Sequence, residues 1–525
     1  MNLALLLLLF ALSFLLRFIF VFAEGTDTMM HLWQIKKQKR NKNFSHEPFN
    51  SIIKGKQATP SLAHAIISIF PERFYKPAGL LLNICYDLVT VLIIFLFCRF
   101  YLIDQLPSSY SAFFIPFEYT VAFVFSTSPI LFPVDARLRS LGARTFGLAL
   151  TTLFFLLVGW ALVENIYYPY IPAIILVILI TMSSQFAMQA MVLFSLFYSL
   201  ITFEFLPLIT VIAGFGLGYI LPFTGIKHFT KYKINHYIWY FRNYKKGTTA
   251  TNRNNLREFI KLPYYLIHKP FRFFKILLVE NSFVIACYSM PMLLYILISL
   301  LNGNIHYTRY VENAWLEFMT CMFLASLLAF LLTSFRPFLF LGSPERYLEY
   351  SVGFLGILFV YTLAQPSIRH QDSVFLIVLL TQMVFIVMNL MYLLYNRTNT
   401  FNIFKNDDLH DLSDFLNKKI GQANILTLPT KLSYGIAFSR PNQHIRFYYP
   451  FISGKLDGFK YMEQEEVLLY LVKPDFKYFK ATYGIDHLIV EHAVLKETPL
   501  AADYKEQLND ARCLFSTQKY SIYKI

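Results

Sequence analysis

Glu24, Asp27 and His31, in the segment EGTDTMMH (24–31), stand where the first long apolar run of this chain meets water. A carboxylate at such a boundary can accept a proton or hold a polar ligand. Asp27 and His31 are four residues apart, so a helix through them places both on one face, within reach of one ligand. A plain helix cap would use the same residues. His64 lies further on, in PSLAHAIISIFP (60–71); on an amphipathic helix, His31 and His64 would equally serve as packing or water-binding groups. Two arginine-bearing segments complete the set: PVDARLRSLGAR, with Asp135, Arg137, Arg139 and Arg144, and LGSPERYLEY (341–350), with Glu345, Arg346 and Tyr347. Planar guanidinium groups suit two-point contact with an oxyanion. At a membrane boundary they also serve as snorkelling anchors or as ordinary basic loops.

The elements that must position these groups are membrane spans. With 525 residues, 56% hydrophobic and 15% charged, and a mean hydropathy of +0.47, the chain is excluded from the water-soluble globules. Residues 3–22 are long enough to cross a bilayer core of about 30 Å. They lack the basic flank and small-residue cleavage site of a signal peptide and are read as an uncleaved first span. Further apolar runs at 77–103, 112–133, 146–164, 170–182, 185–200, 204–222, 278–301, 314–335, 349–365 and 374–396 give about eleven transmembrane helices. The 170–200 stretch reads either as two short helices broken near Ser183, Ser184 and Gln185 or as one long tilted helix.

Three hydrophilic regions remain: a first loop (23–76), a loop at 223–277 and a tail from 400 to 525. In the first loop Met29, Met30, Leu32, Trp33 and Ile35, and then Leu62, Ala65, Ile66 and Ile69 after Pro60, predict two short amphipathic helices on the membrane surface. The 223–277 loop carries twelve Lys and Arg against one acid, Glu258, interleaved with aromatics. Such an interfacial segment grips lipid headgroups, and its tether between spans argues against nucleic acid. In the tail, strand-like runs at 425–429, 445–449, 487–492 and 520–525 alternate with helical segments at 407–420 and 463–472. The expected fold class is thus a polytopic all-α membrane domain (1–399) with a small C-terminal α/β soluble domain (400–525). The tail has no Gly-rich phosphate loop, and His410, His444, His487 and His492 lack metal-ligand spacing, so its expected role is structural or acceptor recognition. Cys85, Cys98, Cys287, Cys321 and Cys513 are scattered and form neither a disulfide framework nor a zinc site.

The initial span followed by GTDTMMH, then PSLAHAIISIFP, several spans, LGSPERYLEY and a soluble C-terminal domain resembles the GT-C superfamily of integral-membrane glycosyltransferases. The resemblance covers the layout of residues 1–350. It implies a polyprenyl-phosphate-linked sugar as donor, a lipid or glycan of the cell envelope as acceptor, and transfer of a hexose or pentose with inversion. It implies Asp27 as the base that deprotonates the acceptor hydroxyl, with Glu24 in reserve. Many members carry two adjacent acids here; the two residues between Glu24 and Asp27 weaken a metal site more than a base, so no cofactor is assigned and a divalent metal stays open.

Charge building on the departing phosphate calls for a fixed cation. Arg346 is the first choice, with Glu345, Tyr347, His31, His64, Arg137 and Arg139 as further donor or substrate contacts. The layout implies a multi-pass protein of a bacterial inner membrane with site and tail facing outward, although the positive-inside rule pulls both lysine-rich loops toward the cytoplasm. A flippase or other transporter of lipid-linked glycans, and a polysaccharide polymerase or ligase, are the alternatives.

Overall fold

The computed structural model describes residues 3–21, 28–41, 50–53, 62–103, 115–134, 137–138, 141, 143–243, 254, 256–303, 306–311, 313–365, 368, 370–397, 407–439, 444–449, 471–498 and 500–525. It is mostly helical and divides into two compact units, each drawn from separate stretches of the chain.

The first unit comprises Met1–Gly25, Pro77–Ile220 and Asn252–Asn399. Among the described residues six helices are long and apolar enough to cross a membrane: Leu3–Val21, Glu72–Leu102, Arg144–Val163, Gln185–Thr202, Ala314–Ser334 and Gln371–Tyr395. Ser282–Ser289 and Pro291–Leu301 form a pair bent by 81°. The bend falls where Pro291 opens the second helix, since proline removes a backbone donor and crowds the preceding turn. Phe117–Ser126, Tyr170–Ser183, Leu206–Ile220 and Val352–Leu363 are shorter apolar helices. Leu7, Leu8, Ile171, Ile212, Leu376 and Ile377 are exposed on these helices, as lipid-facing side chains must be. The chain is an integral multi-pass membrane protein.

The 170–200 stretch is two helices. Ser184 leaves helical geometry (φ −141°, ψ 125°), and its hydroxyl accepts from the Ala187 amide at 3.4 Å, ending one helix and capping the next. Helix approach is close at Gly214, where a Cβ would stand 2.5 Å from that of Val177, so an alanine there would force Leu206–Ile220 away from Tyr170–Ser183.

The second unit comprises Thr26–Lys76, Leu221–Thr251 and Thr400–Ile525. Its sheet has strands β1 (Ala423–Leu428), β2 (Ile445–Phe447), β3 (His487–Glu491), β4 (Arg512–Ser516) and β5 (Tyr520–Lys524), in the order β2-β1-β3-β5-β4. β2, β1 and β3 are parallel, while β5 and β4 form an antiparallel edge. The burial of all of β3 and of all of β1 but Asn424 follows from their central places in the sheet. The helix expected at 463–472 falls mostly on residues outside those described.

First-loop residues belong to this same unit. Asn50–Ile53 pair with β2: the Phe447 amide donates to the Asn50 carbonyl at 2.7 Å and the Ile52 amide to the Phe447 carbonyl at 3.0 Å. Ile53 enters the hydrophobic core formed by Leu426, Leu428, Tyr448 and Leu488. Thr28–Asn41 is helical, as its pattern predicts, but it does not lie open on a lipid surface: Leu32, Trp33, Gln34, Ile35, Lys37 and Gln38 are all buried. Sidedness in the sequence announces a partner surface; here tail side chains supply it.

Candidate active site

Glu24 and Asp27 lie outside the described residues; the helix Thr28–Asn41 begins at the residue after Asp27. His31 and His64 come together, with His31 Nδ1 2.9 Å from His64 Nε2 and the rings stacked at 5.2 Å. One of the two nitrogens carries the hydrogen and the other accepts it, so each ring fixes the tautomer of the other. His64 is fully buried and His31 half-buried. The pair therefore joins the helix after Asp27 to Leu62–Ser68.

Around Thr28–Asn41 the packing is aromatic and cationic. Trp33 is 0% exposed, with Tyr434 at 5.3 Å and Tyr449 at 5.2 Å between ring centroids. The Lys36 ammonium donates to Glu72 at 2.7 Å and to the Phe438 carbonyl at 3.0 Å, and it sits over the Phe438 ring. Phe438 is in the last turn of Leu432–Ser439, where helix carbonyls point outward and favour a cation.

Lys37, on the buried side, lies over the Trp33 ring at 5.5 Å, and burial pulls its pKa down from 10.5 to about 7. Between these two values the unfolded chain binds a proton that the folded chain does not. Stability is therefore lost as pH falls from 10.5, and the full cost, about 5 kcal/mol at most, is present at pH 7 and below. Lys37→Met is accordingly expected to raise the thermal midpoint at pH 7 and to change it little at pH 10.5. An equal gain at both pH values would mean that desolvation of the amine is not the cause.

In the first unit the arginine-bearing segments meet. Arg346 lies on the short helix Glu345–Glu349, its guanidinium 4.4 Å from the centre of the Phe186 ring. Stacking on an aromatic face holds the guanidinium plane in place. Tyr347 is buried and donates its hydroxyl to the Leu341 carbonyl at 3.0 Å; Glu345 is half-buried. Arg137 is also buried. It forms a two-point contact with Asp87 (Nη1 to Oδ2, 2.8 Å; Nη2 to Oδ1, 2.6 Å), donates through Nε to Glu349, and reaches the Leu131 carbonyl at 3.0 Å. Asp87 also accepts from Arg17 Nε at 2.9 Å, and Glu349 pairs with Arg144 at 2.5 Å. Arg17 in turn donates to Ser13 Oγ at 2.8 Å and to the Ser126 carbonyl at 3.3 Å.

Five charged side chains thus form one cluster, with Arg17, Asp87, Arg137 and Glu349 fully buried and Arg144 12% exposed. Arg137 is held inside this cluster; Arg139 and Asp135 lie outside the described residues.

The spacing of single residues does not announce this network. The available signal was the presence of Arg17 and Asp87 inside otherwise apolar spans, where an isolated charge is too costly to persist. Glu349, one turn after Arg346, had no such mark. Among the described residues no group of three His, Cys, Asp or Glu is placed to hold a metal.

No protein-family model matches the chain, and no curated protein matches it by sequence. Solved structures do match it. ArnT from Cupriavidus metallidurans, bound to undecaprenyl phosphate, matches with a TM-score of 0.52 at 10% identity, covering 100% of this chain and 98% of that one. The Archaeoglobus fulgidus oligosaccharyltransferase tethered to an acceptor peptide containing the NVT sequon matches with a TM-score of 0.53 at 11% identity, covering 98% of this chain and 73% of that one. The same enzyme in complex with Zn and sulfate matches with a TM-score of 0.51 at 10% identity over the same shares. The chain therefore shares the fold of ArnT and of the archaeal oligosaccharyltransferase over nearly its whole length.

Proposed function

We propose that this protein is an inverting membrane glycosyltransferase that moves a hexose or pentose from a polyprenyl-phosphate donor to a lipid or glycan acceptor of the cell envelope. The observation that carries the reading is the whole-length likeness to ArnT, whose structure holds undecaprenyl phosphate. The membrane is a bacterial inner membrane, and the reacting groups and the tail face outward.

Asp27 takes the proton of the acceptor hydroxyl, with Glu24 as its reserve. The freed oxygen pair forms a bond to the anomeric carbon from the face opposite the phosphate. The bond from that carbon to the phosphate oxygen breaks, and its electron pair departs with the polyprenyl phosphate. No glycosyl-enzyme is needed, and the configuration inverts. Arg346 balances the charge that grows on the leaving phosphate; Glu345 and Tyr347 flank it. His31 and His64, joined to each other, fix the helix that follows Asp27.

The bent pair Ser282–Ser289 and Pro291–Leu301 is a feature shared with transporters that break their helices at a substrate site. Its residues include no ionisable group apart from Cys287 and the tyrosines Tyr288 and Tyr295, which disfavours that alternative.

The test is the profile of cell-envelope glycans and polyprenyl-linked sugars in a strain lacking the gene, with and without the wild-type chain restored. Loss of one sugar and its return with the wild type is the expected result. An unchanged profile on deletion would overturn the reading. In the restored strain Arg346→Ala is expected to raise the apparent KM for the donor about 10- to 100-fold, the range for losing one hydrogen bond to a charged group. Arg346→Lys should recover only part of that, because an ammonium lacks the two-point fork; full recovery would mean that charge alone suffices.

A further inference from the structure

We infer that the C-terminal domain is the mount of the reacting loop, with Trp33 as its positioning residue. The inference rests on the reading of Asp27 as base and gives the tail a role in that reaction. The helix Thr28–Asn41 begins one residue after Asp27, so its placement sets where Asp27 can reach. Fourteen residues with this polar composition form only a marginal helix in isolation. Its place is fixed by other parts of the same unit. Trp33 packs edge-on to Tyr434 and against Tyr449, rings that stack on each other at 5.1 Å. Lys36 bonds the Phe438 carbonyl, while Lys39 bonds the Phe70 carbonyl at 3.2 Å.

A second attachment lies further along the loop, where Asn50 and Ile52 pair with Phe447 of β2 and Ile53 enters the core of the sheet. The loop is held on both sides of residues 42–49. Tyr434, Phe438, Phe447 and Tyr449 all belong to the tail. A freely hanging first loop would need none of these contacts. A misplacement of about 1 Å at a reacting group costs on the order of 100-fold in rate, so a fixed mount is what the reaction requires.

The experiment uses the full chain in lipid nanodiscs and in the gene-deleted strain, comparing Trp33→Ala, Tyr434→Leu, Lys36→Gln and Trp33→Phe at matched protein level. Hydrogen exchange over residues 28–41, binding of undecaprenyl phosphate and the restored glycan are read together. Trp33→Ala and Tyr434→Leu are expected to speed exchange in 28–41 and to cut the restored glycan at least tenfold. Undecaprenyl phosphate binding should be unchanged, because its cation is in the membrane unit. Trp33→Phe, which keeps an aromatic ring, should recover most of the transfer.

Wild-type transfer alongside faster exchange in 28–41 would overturn the inference. So would loss of undecaprenyl phosphate binding together with transfer, which would mark a role in folding alone. If Trp33→Ala fails to accumulate, Lys36→Gln decides: it removes only the ammonium, and transfer at the wild-type rate with faster exchange overturns the inference. Asp27→Asn separates the two claims. If it transfers normally the base reading falls; if it is inactive while Trp33→Ala is active, the base stands and the mount does not.

Discussion

If Asp27 is the base proposed above, Asp27→Asn is expected to cut transfer by about 10²- to 10⁴-fold, the contribution of a positioned general base. Asparagine has nearly the size of aspartate and caps helices as well, so whatever Asp27 does for the start of Thr28–Asn41 is retained. Only the capacity to take a proton is removed. Protein level, membrane insertion and undecaprenyl phosphate binding should therefore match the wild type while the glycan profile matches the deletion. A neutral helix cap would predict the reverse, with full complementation by Asp27→Asn, and that outcome would remove Asp27 from the mechanism.

Asp87→Asn is expected to have the largest effect on stability. The carboxylate stands between two guanidinium groups, accepting two bonds from Arg137 and one from Arg17, and all three side chains are fully buried. An amide of the same size leaves the Arg17 and Arg137 guanidinium groups facing each other, with Glu349, already paired with Arg137 and Arg144, as the one carboxylate remaining in the cluster. Removing one partner of a buried pair costs about 3–5 kcal/mol, seen as a lower unfolding midpoint in detergent and less protein in the membrane. The control is Lys418→Gln, which breaks an exposed pair with Asp414 (71% and 30% exposed), so its loss should stay under about 1 kcal/mol. Equal midpoints for Asp87→Asn and the wild type would show that the cluster contributes little to holding the spans together. Added salt should leave the difference intact, because buried pairs are poorly screened.

What the sequence made legible follows the range of the forces involved. Long apolar runs are selected by the bilayer one segment at a time, so spans such as Leu3–Val21 and Ala314–Ser334 could be read locally. The break at Ser184 was one of two readings of the 170–200 stretch, and it could be raised at all because a cap is a contact over three residues. The parallel strands β1 and β3 stood out as apolar runs, whereas Arg512–Ser516 did not: an edge strand is only half-covered and carries mixed residues.

The charge cluster was not legible, because Arg137 is 50 residues from Asp87 and 212 from Glu349 in sequence, and only the packing of the spans joins them. Arg137 and Arg346 looked alike as boundary arginines, yet one is locked between two carboxylates and the other is stacked on a ring. Trp33 gave an amphipathic pattern whose partner surface, Tyr434 and Tyr449, is written about 400 positions later.

That last separation sets a timetable for biosynthesis. Trp33 emerges early, and its covering rings cannot exist until the ribosome has passed Tyr434 and Tyr449. At elongation rates of about 5–20 residues per second the stretch from Trp33 to Tyr449 takes roughly 20 to 80 s. For that interval the indole has no native site, and a chain interrupted anywhere in between lacks the rings that cover it. The buried setting of the Thr28–Asn41 helix is thus completed only when the final quarter of the chain has been made.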